Sequence, residues 1–126
     1  MKKILLLITL LNSSLLIFSQ ESRKITAAED VISKITEIEN FLNQKTSMNI
    51  KLPNEIVCLT GIVPKKVDGT YVGIVYYPTL EEVKLWKEWF NHNQDKIFYD
   101  SQTNNEDSKK IIVKLDSGEI RSNFCK

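Results

Sequence analysis

Two cysteines, one histidine and a set of glutamates carry the reactive side chains of this chain, and their spacing limits what they can do. Cys58 and Cys125 belong to no Cys-x-x-Cys and no His-Glu-x-x-His accompanies them, so neither a zinc site nor a dithiol redox motif is written here. In an oxidising compartment the one intramolecular pairing open to them is a disulfide. It would close a loop of about 68 residues, worth ~4 kcal/mol on the chain-entropy model. Two free thiols or an intermolecular bridge are the alternatives, but a reactive thiol needs a basic or helix-N-terminal setting. Ile56-Val57-Cys58-Leu59 offers neither.

His92 stands where an apolar-periodic segment ends, a place where imidazole commonly meets the negative end of a helix dipole. No Gly-x-Ser-x-Gly supplies a nucleophile for it. Glycoside cleavage needs two carboxylates held at a fixed separation. Glu37, Glu39, Glu81, Glu82 and Glu88 are available, yet each reads as a surface or capping residue and no spacing singles out a pair. The stretch 100–107 (DSQTNNED) offers oxygen ligands, but Asn105 and Ile111 occupy the positions where a calcium loop needs Gly and Glu. The four glycines are dispersed and cradle no phosphate. The expectation is a protein without catalytic apparatus, without a metal and without a cofactor.

Aromatic residues are the feature that composition alone does not explain. Tyr71, Tyr76, Tyr77, Trp86, Trp89, Phe90, Phe98 and Tyr99 crowd into a single stretch. They read either as a core, with a Trp/Phe helix face laid on a sheet, or as a partly exposed platform of the kind that Tyr and Trp form at interfaces. On the second reading Tyr77, Trp86 and Trp89 are the candidate binding residues. Alternation adds a detail: if Val72, Ile74 and Tyr76 face the core, then Tyr71, Gly73, Val75 and Tyr77 face away.

The chain has 126 residues, enough for one domain, and its first nineteen do not belong to it. Lys2 and Lys3 precede an apolar run from Ile4 to Phe18, broken at Asn12-Ser13-Ser14, and Ser19 is a small residue suited to a signal-peptidase site. This is the pattern of a secretory signal peptide, residues 1–19, cut near Ser19/Gln20. An uncleaved anchor would want about 20 unbroken apolar residues, and no other segment could span a bilayer. Removing the leader leaves fifteen basic and sixteen acidic residues, a formal charge of −1. All but Arg23 and Arg121 of those basic residues are lysines, whereas bidentate phosphate or base recognition favours arginine. Nucleic acid is therefore not an expected partner. The ordinary charged and apolar fractions argue against disorder.

The elements that must position these residues follow from periodicity and caps. Thr26 and Glu29 form a capping box, and Ala28, Val31, Ile32, Ile35, Ile38 and Leu42 line one helix face over 27–44. Residues 55–63 and 70–77 read as strands flanking an Asp68-Gly69 turn. Gly61 and Gly73 within them suggest a bulge or a close backbone approach. Thr79 and Glu82 are a second capping box, opening a helix that carries Val83, Trp86, Trp89 and Phe90 on one side. Strands over 96–99, 110–115 and 119–124 complete the chain, the last two joined at Asp116-Ser117-Gly118, with a polar loop over 100–108.

The predicted fold is α+β, a single domain over 20–126. An amphipathic N-terminal helix precedes a mostly antiparallel sheet of four to five strands, with a second helix between two hairpins and one disulfide. The expected role is that of a small exported protein, periplasmic or secreted, binding a protein partner in the envelope as an accessory, inhibitor or immunity-type factor. A carbohydrate-binding module using exposed Tyr and Trp, or a small carboxylate-dependent hydrolase, is the alternative.

Overall fold

A computed structural model describes residues 25–44, 46–70, 73–101 and 109–125. The leader and most of the 100–108 loop lie outside the described residues. Helix α1, Ala27–Gln44, starts where its capping box predicts: the Glu29 amide donates to Thr26 Oγ1 at 3.1 Å and the Thr26 amide to Glu29 Oε2 at 3.3 Å. Val31, Ile35 and Ile38 are fully buried along its inner face.

The segment expected as the first strand is instead a second helix, α2, Leu52–Thr60. Pro53 does not bound a strand; it lies in the first turn of the helix, where a missing N–H costs nothing and a fixed φ is already helical. Gly61 ends the helix in the left-handed region (φ 70°), its amide donating to Val57 O at 2.8 Å. Leu52, Pro53, Ile56, Val57, Leu59 and Thr60 are buried at helical spacing, with Asn54 exposed and Glu55 and Cys58 partly exposed on the outer side. The helical period is short and lies beneath a β-branched composition that reads as a strand.

Strands β1, Lys66–Thr70, and β2, Gly73–Tyr77, form an antiparallel ribbon. The expected pairing of 55–63 with 70–77 does not form: the first segment is α2, and β2 pairs instead with 66–70, the stretch read as the connection. Asp68 pairs with Val75 and Gly69 with Ile74, so the expected Asp-Gly turn lies inside a ladder. Of the β2 residues expected to face the core, Tyr76 packs on it, Ile74 on the same side is exposed, and Val72 lies outside the described residues. Gly73, Ile74 and Val75 border a groove shared with Asn54 and Glu55 of α2 and with Phe124.

Helix α3, Leu80–Asn93, opens at the Thr79/Glu82 capping box and runs into a 3₁₀ turn, Gln94–Lys96. Strands β3, Ile97–Tyr99, β4, Ile111–Lys114, and β5, Ile120–Ser122, follow. They form an antiparallel sheet in the order β3-β4-β5, so the five described strands divide into two sheets rather than one. The architecture is α+β, with α3 between the ribbon and the three-stranded sheet.

Ile97, Ile111 and Val113 on the inner face of that sheet join α1, α2 and α3 in one core. Specific polar contacts fix the helices around it. Lys34 on α1 meets Glu55 on α2 at 2.6 Å, Lys87 on α3 pairs with Glu39 on α1, and Tyr99 donates to Asp30 at 3.1 Å. No helix among the described residues is long and apolar enough to cross a membrane.

Candidate functional site

Cys58, in the middle of α2, and Cys125, beyond the end of β5, are joined as the expected disulfide. Asn123, two residues earlier, explains how the chain end reaches α2. Asn123 is buried and clamps Ile111 from both sides, its Oδ1 accepting the Ile111 amide at 2.9 Å and its own amide donating to Ile111 O at 3.1 Å. Grooves of about 840 Å³ and 360 Å³ lie on the two sides of the bridge, and Phe124 and Cys125 border both.

The three aromatic candidates part company. Trp86 is fully buried and donates its indole N–H to Ile62 O at 3.1 Å, so it anchors the segment after α2 and presents no face to solvent. Trp89 is half-buried against the core. Tyr77 is exposed on the ribbon, its ring 5.3 Å from Lys66 Nζ. They do not form one surface.

The glutamates are similarly dispersed. Glu39 is engaged by Lys87 and Glu81 by Lys65, while Glu37 and Glu88 lie exposed on separate helices. Glu82 is the buried one. Burial pushes its carboxyl up, but the Thr79 hydroxyl, the Lys65 amide (3.1 Å) and the Thr79 amide (2.9 Å) all donate to it and together hold its pKa down at about 2. A carboxylate so fully committed to a helix start is a structural anion rather than a proton carrier. His92 serves its own helix end, its Nδ1–H donating to Glu88 O at 2.7 Å. No cluster of three His, Cys, Asp or Glu side chains capable of holding a metal occurs among the described residues.

The surface that sequence reasoning passed over is the outer face of the three-stranded sheet. Phe98 on β3 stands directly across from Ile112 on β4, which stands across from Ser122 on β5. Ile120 lies in the next row, across from Lys114. Phe98 is 48% exposed, Ile120 62% and Phe124, just beyond β5, 49%. Charge pairs bound this strip, Asp100–Lys110 (3.7 Å) at one end and Lys96–Asp116 (2.9 Å) at the other. A signal for it was present: Ile97-Phe98-Tyr99 and Ile111-Ile112-Val113 are unbroken apolar runs, and only alternate residues of a strand can face one core. The middle residue of each run had to emerge on the other side. The sequence did not say that the two middle residues would be neighbours.

No protein-family model matches the chain, and no curated protein or solved structure is significantly similar to it.

Proposed function

We propose that this is a small exported protein that works by binding another macromolecule of the cell envelope, not by catalysis. The observation that carries the reading is the row Phe98–Ile112, continued by Ile120 and Phe124: an apolar strip across a sheet face that no element described in the chain covers. Contiguous exposed apolar surface rimmed by polar residues is characteristic of interaction sites. Export is supported by the leader pattern of residues 1–19 and by the Cys58–Cys125 bridge, which suits an oxidising compartment.

The carbohydrate reading draws on the exposed Tyr77 ring beside Lys66, a single stacking surface. A hydrolase reading would need two carboxylates converging on a cleft; of the candidate glutamates, Glu39 and Glu81 are held in ion pairs and Glu82 in its helix cap, which does not favour it.

Site-specific incorporation of a photo-reactive amino acid tests the binding reading in the producing cell. The expected result is a discrete cross-linked product from position 98 and none from position 85, an exposed residue of α3. Loss of the adduct at 98, or the same adduct from both positions, would overturn it. Sequencing of the mature N-terminus should begin near Gln20.

A further inference from the structure

We propose that the outer face of the β3–β5 sheet docks an amphipathic helix of another protein whose flanking residues are acidic. This rests on the binding reading and names the chemistry of the partner. Charge decides the sign. Asp100 neutralises Lys110 at one end of the apolar strip and Glu119 balances Arg121 beside it, but at the other end Lys96 and Lys114 stand with Asp116 as the one carboxylate among the described residues. Asp116 is paired with Lys96, and Lys114, directly across from Ile120, has no ion-pair partner among the described residues. The face thus presents apolar side chains with a surplus cation beside them, which an apolar stripe bordered by carboxylates complements.

The same surplus disfavours a second copy of this chain as the occupant. Two such faces apposed would bring twice the cationic excess of the described residues into one interface, and an unpaired buried charge is costly. α1 packs against β3 and α2 against β5, and the exposed apolar side chains Phe98 and Ile120 stand on the open face rather than along an edge. A helix on the open face completes a helix–sheet–helix layering. From the Asp100 row to the Lys96 row the strip extends about 13 Å at ~3.3 Å per strand residue, a span that two to three turns of helix cover.

Two short helical peptides serve as probes, each with leucine along one face and flanked by glutamate in one and by lysine in the other. Their binding to the disulfide-bonded protein is followed by fluorescence anisotropy. The glutamate peptide should bind at least about tenfold more tightly than the lysine peptide, and added salt should narrow the gap. Lys114→Glu, an exposed change that leaves the core intact, should erase or reverse the preference. Phe98→Ser should weaken the glutamate peptide about tenfold or more without altering the circular dichroism. Equal binding of the two peptides, no binding of either, or a preference indifferent to Lys114→Glu would overturn the proposal. So would a dimer in sedimentation of the protein alone that Phe98→Ser dissociates. If the peptides fail while the cross-link from position 98 forms, only the acidic helix is lost. If the cross-link is absent too, the binding reading falls with it.

Discussion

The guanidinium of Arg121 occupies the space that a side chain at position 61 would need. A Cβ on Gly61 would meet Arg121 Nη1 at 2.4 Å, and that same nitrogen donates to Thr60 O at 2.6 Å. A cation from β5 therefore satisfies a terminal carbonyl of α2, and the favourable charge–dipole contact depends on residue 61 having no side chain. Glu119 braces the guanidinium from the other side, its Oε1 accepting from Arg121 Nε at 2.9 Å.

Gly61→Ala should consequently cost more than left-handed strain alone. With φ at 70° the strain is about 1 kcal/mol, and displacement of Arg121 from Thr60 adds roughly 1–2 kcal/mol for a charged hydrogen bond. In an Arg121→Ala background only the strain should remain. Urea unfolding of the four proteins of this double-mutant cycle measures the coupling, which should exceed ~0.5 kcal/mol; strict additivity would mean that the arginine simply moves aside.

Glu82 makes the fold acid-sensitive over a defined window. Its folded pKa of about 2 lies below the ordinary 4.5, so its stabilisation is complete above 4.5 and is lost as pH falls toward 2. The contribution is on the order of 2–3 kcal/mol. Glu82→Gln should flatten stability against pH across this interval, and Thr79→Ala should cost ~1 kcal/mol and move the acid midpoint upward. Thermal melts at a series of pH values check both.

Tyr99 sets the alkaline limit. Burial first, and then the neighbouring Asp30 carboxylate, raises its phenol to about 12. The neutral phenol is favoured in the folded state, so its contribution is full below pH 10 and disappears as pH rises through 12. Ultraviolet titration should show one phenol ionising late, and Tyr99→Phe should remove that step together with the corresponding part of the alkaline destabilisation.

The disulfide predicts matched losses. Cys58→Ser and Cys125→Ser each open the same bond, so their melting temperatures should fall together, by the equivalent of up to ~4 kcal/mol. Unequal losses would point to a separate packing role for one sulfur. The Ile111–Asn123 clamp does not depend on the bridge, so amide exchange at these two residues should stay slow in either variant while Phe124 loses protection.

Caps, strong periodicity and covalent possibility were legible from the residues alone. Thr26 with Glu29 and Thr79 with Glu82 mark the starts of α1 and α3, because an N-cap acts on amides three residues away and needs no distant partner. With two cysteines, the pairing needed no fold to name it. α2 was not legible. Its β-branched run looks like a strand, and becomes helical because the helix buries Leu52, Ile56, Val57 and Leu59 in the common core, packing outweighing intrinsic propensity. Asp68-Gly69 likewise ended inside a ladder, its register imposed by where β2 must begin rather than by the turn preference of the dipeptide.

The candidate surface divides in the same way. That Phe98 and Ile112 must leave the core follows from strand geometry. That they emerge side by side, with Ile120 and Lys114 in the next row, depends on the pairing of β3 with β4 and β4 with β5. Trp86, a candidate ligand contact from its type, is taken inward because its N–H finds Ile62 O and its ring fills the core between helices. Local sequence determined which side chains were available and where helices begin; the long-range packing of α2 and the sheet decided which of them face water.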